Sequence, residues 1–224
     1  MYSICGDLRS IKDASNNYLK PESKLNGFVW NNITYGDTNG LGGAKEVAEH
    51  AYSSSYVQSG LITGRQWDTM LKFIEQTKND DTNGNGVNTN STLWGNYNNR
   101  TGYSFSIGYY KADANYNSSL YTNAASIQVN KTAYRDILMQ TGAFGDITNE
   151  HPKNLYDVAG NVWEWTNEKV SEKGGDSTAV NNPVLRGGSF YSNGSGASAS
   201  CRDGDGGAGT WYYSIGFRVV LYIL

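Results

Sequence analysis

Between Gly43 and Ser53 the apolar residues fall at Ala44, Val47, Ala48 and Ala51. That i, i+3, i+4, i+7 spacing lines one face of a short helix. A second stripe, Trp67, Met70, Leu71 and Ile74, repeats it. Thr63 and Gln66 stand three apart as a capping box, so the pattern predicts a helix start at Thr63. From Asn79 to Asn90 the chain is almost all Asn, Asp, Thr and Gly, and periodicity is lost, which predicts an exposed loop. Ser91 to Ala125 interleaves aromatics (Trp94, Tyr97, Tyr103, Phe105, Tyr109, Tyr110, Tyr116, Tyr121) with polar residues and reads as short strands and long loops. Asn130 to Gln140 reads as a short helix with Ala133, Ile137 and Leu138 inward. In Asn161 to Thr166 the period is two, with Trp163 and Trp165 on one face and Val162, Glu164 and Thr166 on the other, as in a strand. Gly216 to Leu224 reads as a buried final strand. Helices early and strands late make the fold class α+β: loop-rich, with two or more short helices and a small antiparallel sheet.

A length of 224 residues suits one domain over 1–224. Only 17% of residues are charged, while Gly (27), Tyr (17) and Trp (6) are abundant, which excludes charge-driven disorder and long helical bundles. The net charge of −3, with no Lys/Arg cluster, argues against nucleic acid as a partner. No apolar run reaches the roughly 18 residues of a bilayer span, so direct membrane insertion is not expected, and Met1 to Ser10 does not read as a signal peptide. Cys5 and Cys201 are too few for a disulfide scaffold. Asp81, Asn83, Asn85 and Gly86 look like the opening of a calcium loop, but Thr92 stands at the twelfth position, where a bidentate Glu is needed.

Phe190 to Ser214 differs from the rest. Its 25 residues include six Gly, five Ser, three Ala and three Tyr, and no Lys, Glu, Gln, Met, Leu, Ile, Val or Pro. Large rigid aromatics among small adaptable hydrogen-bonding residues are the composition of an antibody paratope. Composition alone fits a disordered Gly/Ser loop equally well. Position argues for the first, because Leu185-Arg-Gly-Gly-Ser189 and Ile215-Gly-Phe-Arg218 frame the segment like strand ends.

Those two framing motifs, with Leu61-Ile-Thr-Gly-Arg-Gln-Trp67 and Asn154-Leu-Tyr-Asp-Val-Ala-Gly-Asn-Val-Trp-Glu-Trp165, resemble the formylglycine-generating-enzyme family, a variant of the C-type-lectin fold. The resemblance spans roughly Leu61 to Val220, and the poor match before Leu61 implies that this is the C-terminal portion of a longer protein. The family's enzymes oxidise a cysteine of a target protein through a copper-binding cysteine pair. Here the corresponding positions are Ser192 and Ala197, and neither forms a thiolate. A related branch holds iron through several histidines, but this chain has only His50 and His151, whose neighbours Glu49 and Glu150 read as surface. The resemblance therefore implies no enzyme and no redox cofactor.

The C-terminal arrangement is similar to the variable proteins of diversity-generating retroelements in phages and bacteria, in which adenines of a template are randomised. An Asn codon then yields Tyr, Ser, Asp, Gly, Ala, Thr, Cys or Phe among others, largely the set found here. This implies a hypervariable ligand-binding region over 190–214, displaying Tyr191, Ser192, Asn193, Ser195, Ser198, Cys201, Asp203, Asp205, Thr210, Trp211, Tyr212, Tyr213 and Ser214. The implied partner is a protein ligand or cell-surface receptor, met from a phage virion or bacterial surface. The alternatives are a rebuilt oxidase and a calcium-dependent carbohydrate-binding lectin. By carry-over, a structural calcium would be held by the side chains of Asp157 and Glu164 and the carbonyls of Gly160 and Val162, with waters or another loop completing its shell. The other reading has the two carboxylates bonding turn amides or neighbouring side chains. Arg186 and Arg218 read as structural clamps at either end of the segment.

Overall fold

The computed structural model describes residues 10–23, 29–36, 42–78, 86–101, 103–111, 121–131, 138–139, 141–142, 155–170, 181–204 and 206–224, with strands 103–111 and 121–131 given by their backbone. The alanine-rich stripe becomes helix α1, Ala44–Ala51, and Ala44, Val47, Ala48 and Ala51 are all buried. Glu46 Oε2 accepts the N–H of Gly43 at 2.7 Å, closing the first turn. Strand β1, Val57–Leu61, leads into helix α2, Gly64–Lys78. The capping box forms as expected: the Gln66 side chain accepts the Thr63 N–H at 2.9 Å, and Thr63 Oγ1 accepts the Gln66 N–H at 3.2 Å. Trp67, Leu71 and Ile74 face the core.

A 3-10 turn, Ser91–Leu93, precedes the hairpin of β2, Tyr103–Lys111, and β3, Tyr121–Lys131, antiparallel with a register break between Ile107 and Tyr109. Strand β4, Trp163–Lys169, is central to a three-stranded mixed sheet. It pairs antiparallel with β5, Pro183–Arg186, and parallel with β6, Ile215–Phe217. Strand β7, Val219–Ile223, returns antiparallel to β1.

Among the described residues two large apolar clusters carry most of the core. One joins α1, Ile33, Tyr35, Trp165, Leu185 and Ile215; the other joins α2, Val87, Tyr97, Val158 and Ala199. Each is centred on a fully buried tryptophan whose indole N–H reaches a carbonyl: Trp165 Nε1 to Ile33 O at 2.9 Å, and Trp67 Nε1 to Ala199 O at 2.8 Å. Burying the ring while satisfying its donor makes such a position costly to truncate, about 3–5 kcal/mol to Ala.

The α+β class holds, and several local expectations are corrected. Val87, expected in an exposed loop, is 1% exposed in the second cluster, because one apolar residue in a polar run is enough to anchor it. Asn79 to Asn85 lie outside the described residues. The hairpin strands are nine and eleven residues, not short. Asn130 and Lys131 end β3 and do not start a helix; Leu138 is buried as expected, while Ala133 and Ile137 lie outside the described residues. Glu164, Trp165 and Thr166 are buried together, so both faces of β4 are covered, as befits a central strand. The C-terminal run splits at Arg218 into β6 and β7. Leu221, Ile223 and Leu224 are exposed because β7 belongs to a two-stranded sheet with only β1 beside it.

Candidate binding surface

Segment 190–214 leaves β5 through Gly187 and Gly188 and returns into β6. Both glycines have positive φ (96° and 72°), and a Cβ on Gly188 would strike the Ala197 carbonyl and the Tyr97 ring. Between these ends the frame grips the segment chiefly through its main chain. Phe190 N–H donates to Asn161 O at 2.9 Å. The Asn98 backbone N–H donates to Ser192 O and its side chain to Tyr191 O. Gly194 donates to Asn99 Oδ1 and accepts from Ser91 N–H. Ala199 donates to Ser91 Oγ and accepts from Trp67 Nε1. Leu185 and Asp203 exchange both backbone bonds, at 2.8 and 3.0 Å. Tyr35 N–H reaches Ala208 O, Asn32 N–H reaches Tyr212 O, Asn31 Nδ2 reaches Tyr213 O at 2.6 Å, and Trp163 N–H reaches Ser214 O at 2.7 Å. None of these bonds uses a side chain of the segment.

The side chains divide by address. Tyr191, Asn193, Ser195, Trp211 and Tyr212 are exposed, and Ser192, Cys201, Asp203, Thr210 and Tyr213 are half-buried. Rings from the two ends of the segment meet: Tyr191 packs edge-on to Tyr213 at 6.4 Å, Tyr213 lies 4.5 Å from Tyr212, and Phe190 backs Tyr213 at 5.8 Å from below. Residues 190–197 and 206–214 contain no charged side chain. The result is a neutral aromatic patch edged by the amides of Asn193, Asn98 and Asn99. Ser198 and Ser214, expected on display, are instead buried at 8% exposure each. Ser198 Oγ donates to Asn88 O, so its hydroxyl serves the fold. Asp205 lies outside the described residues.

Ser192 hydrogen-bonds Ser189 Oγ at 3.0 Å. Cys201 is half-buried, and burial followed by the nearby Asp203 pushes its thiol up, away from the reactive thiolate. His50 is exposed, stacked on Tyr18 at 3.9 Å; His151 lies outside the described residues.

The four positions carried over for calcium gather in the turn before β4. Both Glu164 oxygens are taken by Arg218, at 2.8 and 2.9 Å, and Arg218 Nη2 also donates to the carbonyls of Tyr156 and Asp157. Asp157 Oδ2 accepts the Gly142 N–H at 2.7 Å. Burial pushes the Glu164 carboxyl above its usual range, and Arg218 opposes this. With a guanidinium on both Glu164 oxygens and a backbone amide on Asp157 Oδ2, this donor set as folded does not fit a calcium ion.

Arg186, fully buried, clamps as expected, to Asp68 and to Glu168 at 3.0 Å. Arg202 meets the same two carboxylates, at 2.6 and 2.7 Å. Sequence reasoning missed Arg202, Asp68 and Glu168, and also the asparagines 31, 32, 98 and 99 that hold the segment. Arg202 carried a signal as the one cation in the segment; the others carried none, because their roles depend on contacts 18 to 182 residues away along the chain, which local patterning does not encode.

A solved structure, Treponema denticola variable protein 1, aligns with this chain at 19% identity and a TM-score of 0.40, over 84% of this chain and 54% of that one. The chain thus spans about half the length of that protein. No curated protein matches it. Residues 88–223 match the sulfatase-modifying factor enzyme 1-like domain, more than half the chain and all of the 190–214 segment with both its frames. The chain therefore belongs to the sulfatase-modifying factor enzyme 1-like domain family.

Proposed function

We propose that the chain is a non-enzymatic binding protein whose 190–214 segment is a recognition surface diversified by a retroelement, directed at a protein ligand or cell-surface receptor. The observation that carries this reading is the main-chain grip: because the frame holds carbonyls and amides, the exposed side chains of Tyr191, Ser195, Trp211 and Tyr212 are free to change without loss of the bonds that set the path of the segment, whereas Asn193 Oδ1 accepts the Ser195 N–H at 2.9 Å and Asn99 Nδ2 at 3.0 Å and belongs to the grip. The joined rings of Tyr191, Tyr212 and Tyr213 with Trp211 supply the large, low-entropy contact area typical of binding hot spots. Ser192 and Ala197 in place of the enzymes' cysteines, and a protonated Cys201, speak against oxidation.

The test is a display library diversified among uncharged residues at Tyr191, Ser195, Trp211 and Tyr212 and selected on lysozyme as a defined protein. Selection is expected to return binders at about 1 μM or tighter. Because the diversified positions carry only uncharged residues the patch stays neutral, and the affinity should change less than about threefold between 50 and 500 mM salt. A library that folds but yields no binder, or binders indifferent to restoring the parental residues, would contradict the reading.

A further inference from the structure

Arg202 stands in the middle of the segment, yet its side chain does not contribute to the aromatic patch. Its Nε and Nη2 reach Glu168 on β4 and Asp68 on α2, and Arg186 at the end of β5 completes a closed ring of two guanidinium and two carboxylate groups. Asp68 and Arg202 are each half-exposed and Arg186 is fully buried, so the ring seals the frame from its rim inward. Around it the segment has no room. Ala199 is fully buried, and a Cβ on Gly204 would strike Val170.

On the reading of the segment as a recognition surface, we propose that recognition is confined to two runs, 191–196 and 209–213, joined at the Tyr191–Tyr213 contact, and that 198–204 is a fixed span set by Arg202. Arg202 is a positioning residue: a bidentate partner to two elements fixes both where the span lies and the distance between the runs. The fitting partner is a protein epitope matched to a neutral aromatic surface rather than to the charge of Arg202, which is already spent within the ring.

The test needs no ligand, so its failure is separable from a failure to select binders. In the full chain, positions 191, 195 and 202 are saturated singly and protease-resistant surface display is scored. About three quarters of substitutions at 191 and 195 should hold parental display. At 202 only Lys should come within about fivefold. In the soluble protein, Arg202→Gln should speed exchange of the Asp203 amide about tenfold and leave α2 unchanged, with Arg202→Lys between it and the parent. Equal tolerance at 202 and 191, an unchanged Asp203 amide, or protection lost evenly over the whole chain would each overturn the assignment.

Discussion

Phe190 and Tyr191 are consecutive and chemically close, yet they sit on opposite sides of the division between frame and surface. Phe190 is 2% exposed, packed with Leu138 and Val162, while Tyr191 is 54% exposed. Phe190→Ala is expected to cost about 3–5 kcal/mol, from lost transfer energy plus the cavity left behind. Tyr191→Ala should cost under about 1 kcal/mol. Urea unfolding of the two variants checks this, and equal costs would refute the division. Neither outcome was legible in the composition of the segment, which treats the two rings alike. Ser198 and Ser214 illustrate the same limit: small polar residues suit a binding surface and a tight buried corner equally, and only their contacts separate them.

At the scale of elements, local signals were readable where the physics is local. The α1 stripe and the Thr63–Gln66 box depend on residues within one or two turns, and both formed. The burial of β4 on both faces, the split at Arg218 and the exposure of β7 depend on which strands lie beside them, which periodicity does not encode. The Asp157–Glu164 turn shows the same thing in chemical terms. Its oxygens suit a hard cation on paper, but the Ile215-Gly-Phe-Arg218 run returns a guanidinium to them. Added calcium or a chelator is therefore expected to shift the melting temperature by less than about 2 °C, against the RT ln(1 + [L]/Kd) rise that any native-state ligand produces. A rise of several degrees in millimolar calcium would show that the ion displaces Arg218.

Over the whole molecule, two tryptophan-centred clusters, the Arg218–Glu164 pair and the Arg186–Asp68–Arg202–Glu168 ring surround a segment that would build no core of its own. Removing Arg186 leaves carboxylates facing each other, and removing a carboxylate leaves a buried guanidinium short of a partner, which is the expensive way to break a buried pair. The frame is therefore where substitutions are costly, and the patch is where they are cheap. The family resemblance was legible because its motifs are the frame itself: the start of α2, the turn into β4, and the two ends of the segment. The segment was legible as a composition, but which of its side chains are exposed was not.

The most direct measurement is the melting temperature of a single chain in which Tyr191, Ser195, Trp211 and Tyr212 are all replaced by alanine. With the main-chain grip intact, unfolding should stay cooperative and the midpoint should fall by less than about 8 °C, as expected for four exposed truncations in a domain of this size. A fall of more than about 15 °C, or loss of the cooperative transition, would mean that the patch side chains hold the fold together and that a freely changeable surface does not exist on this protein.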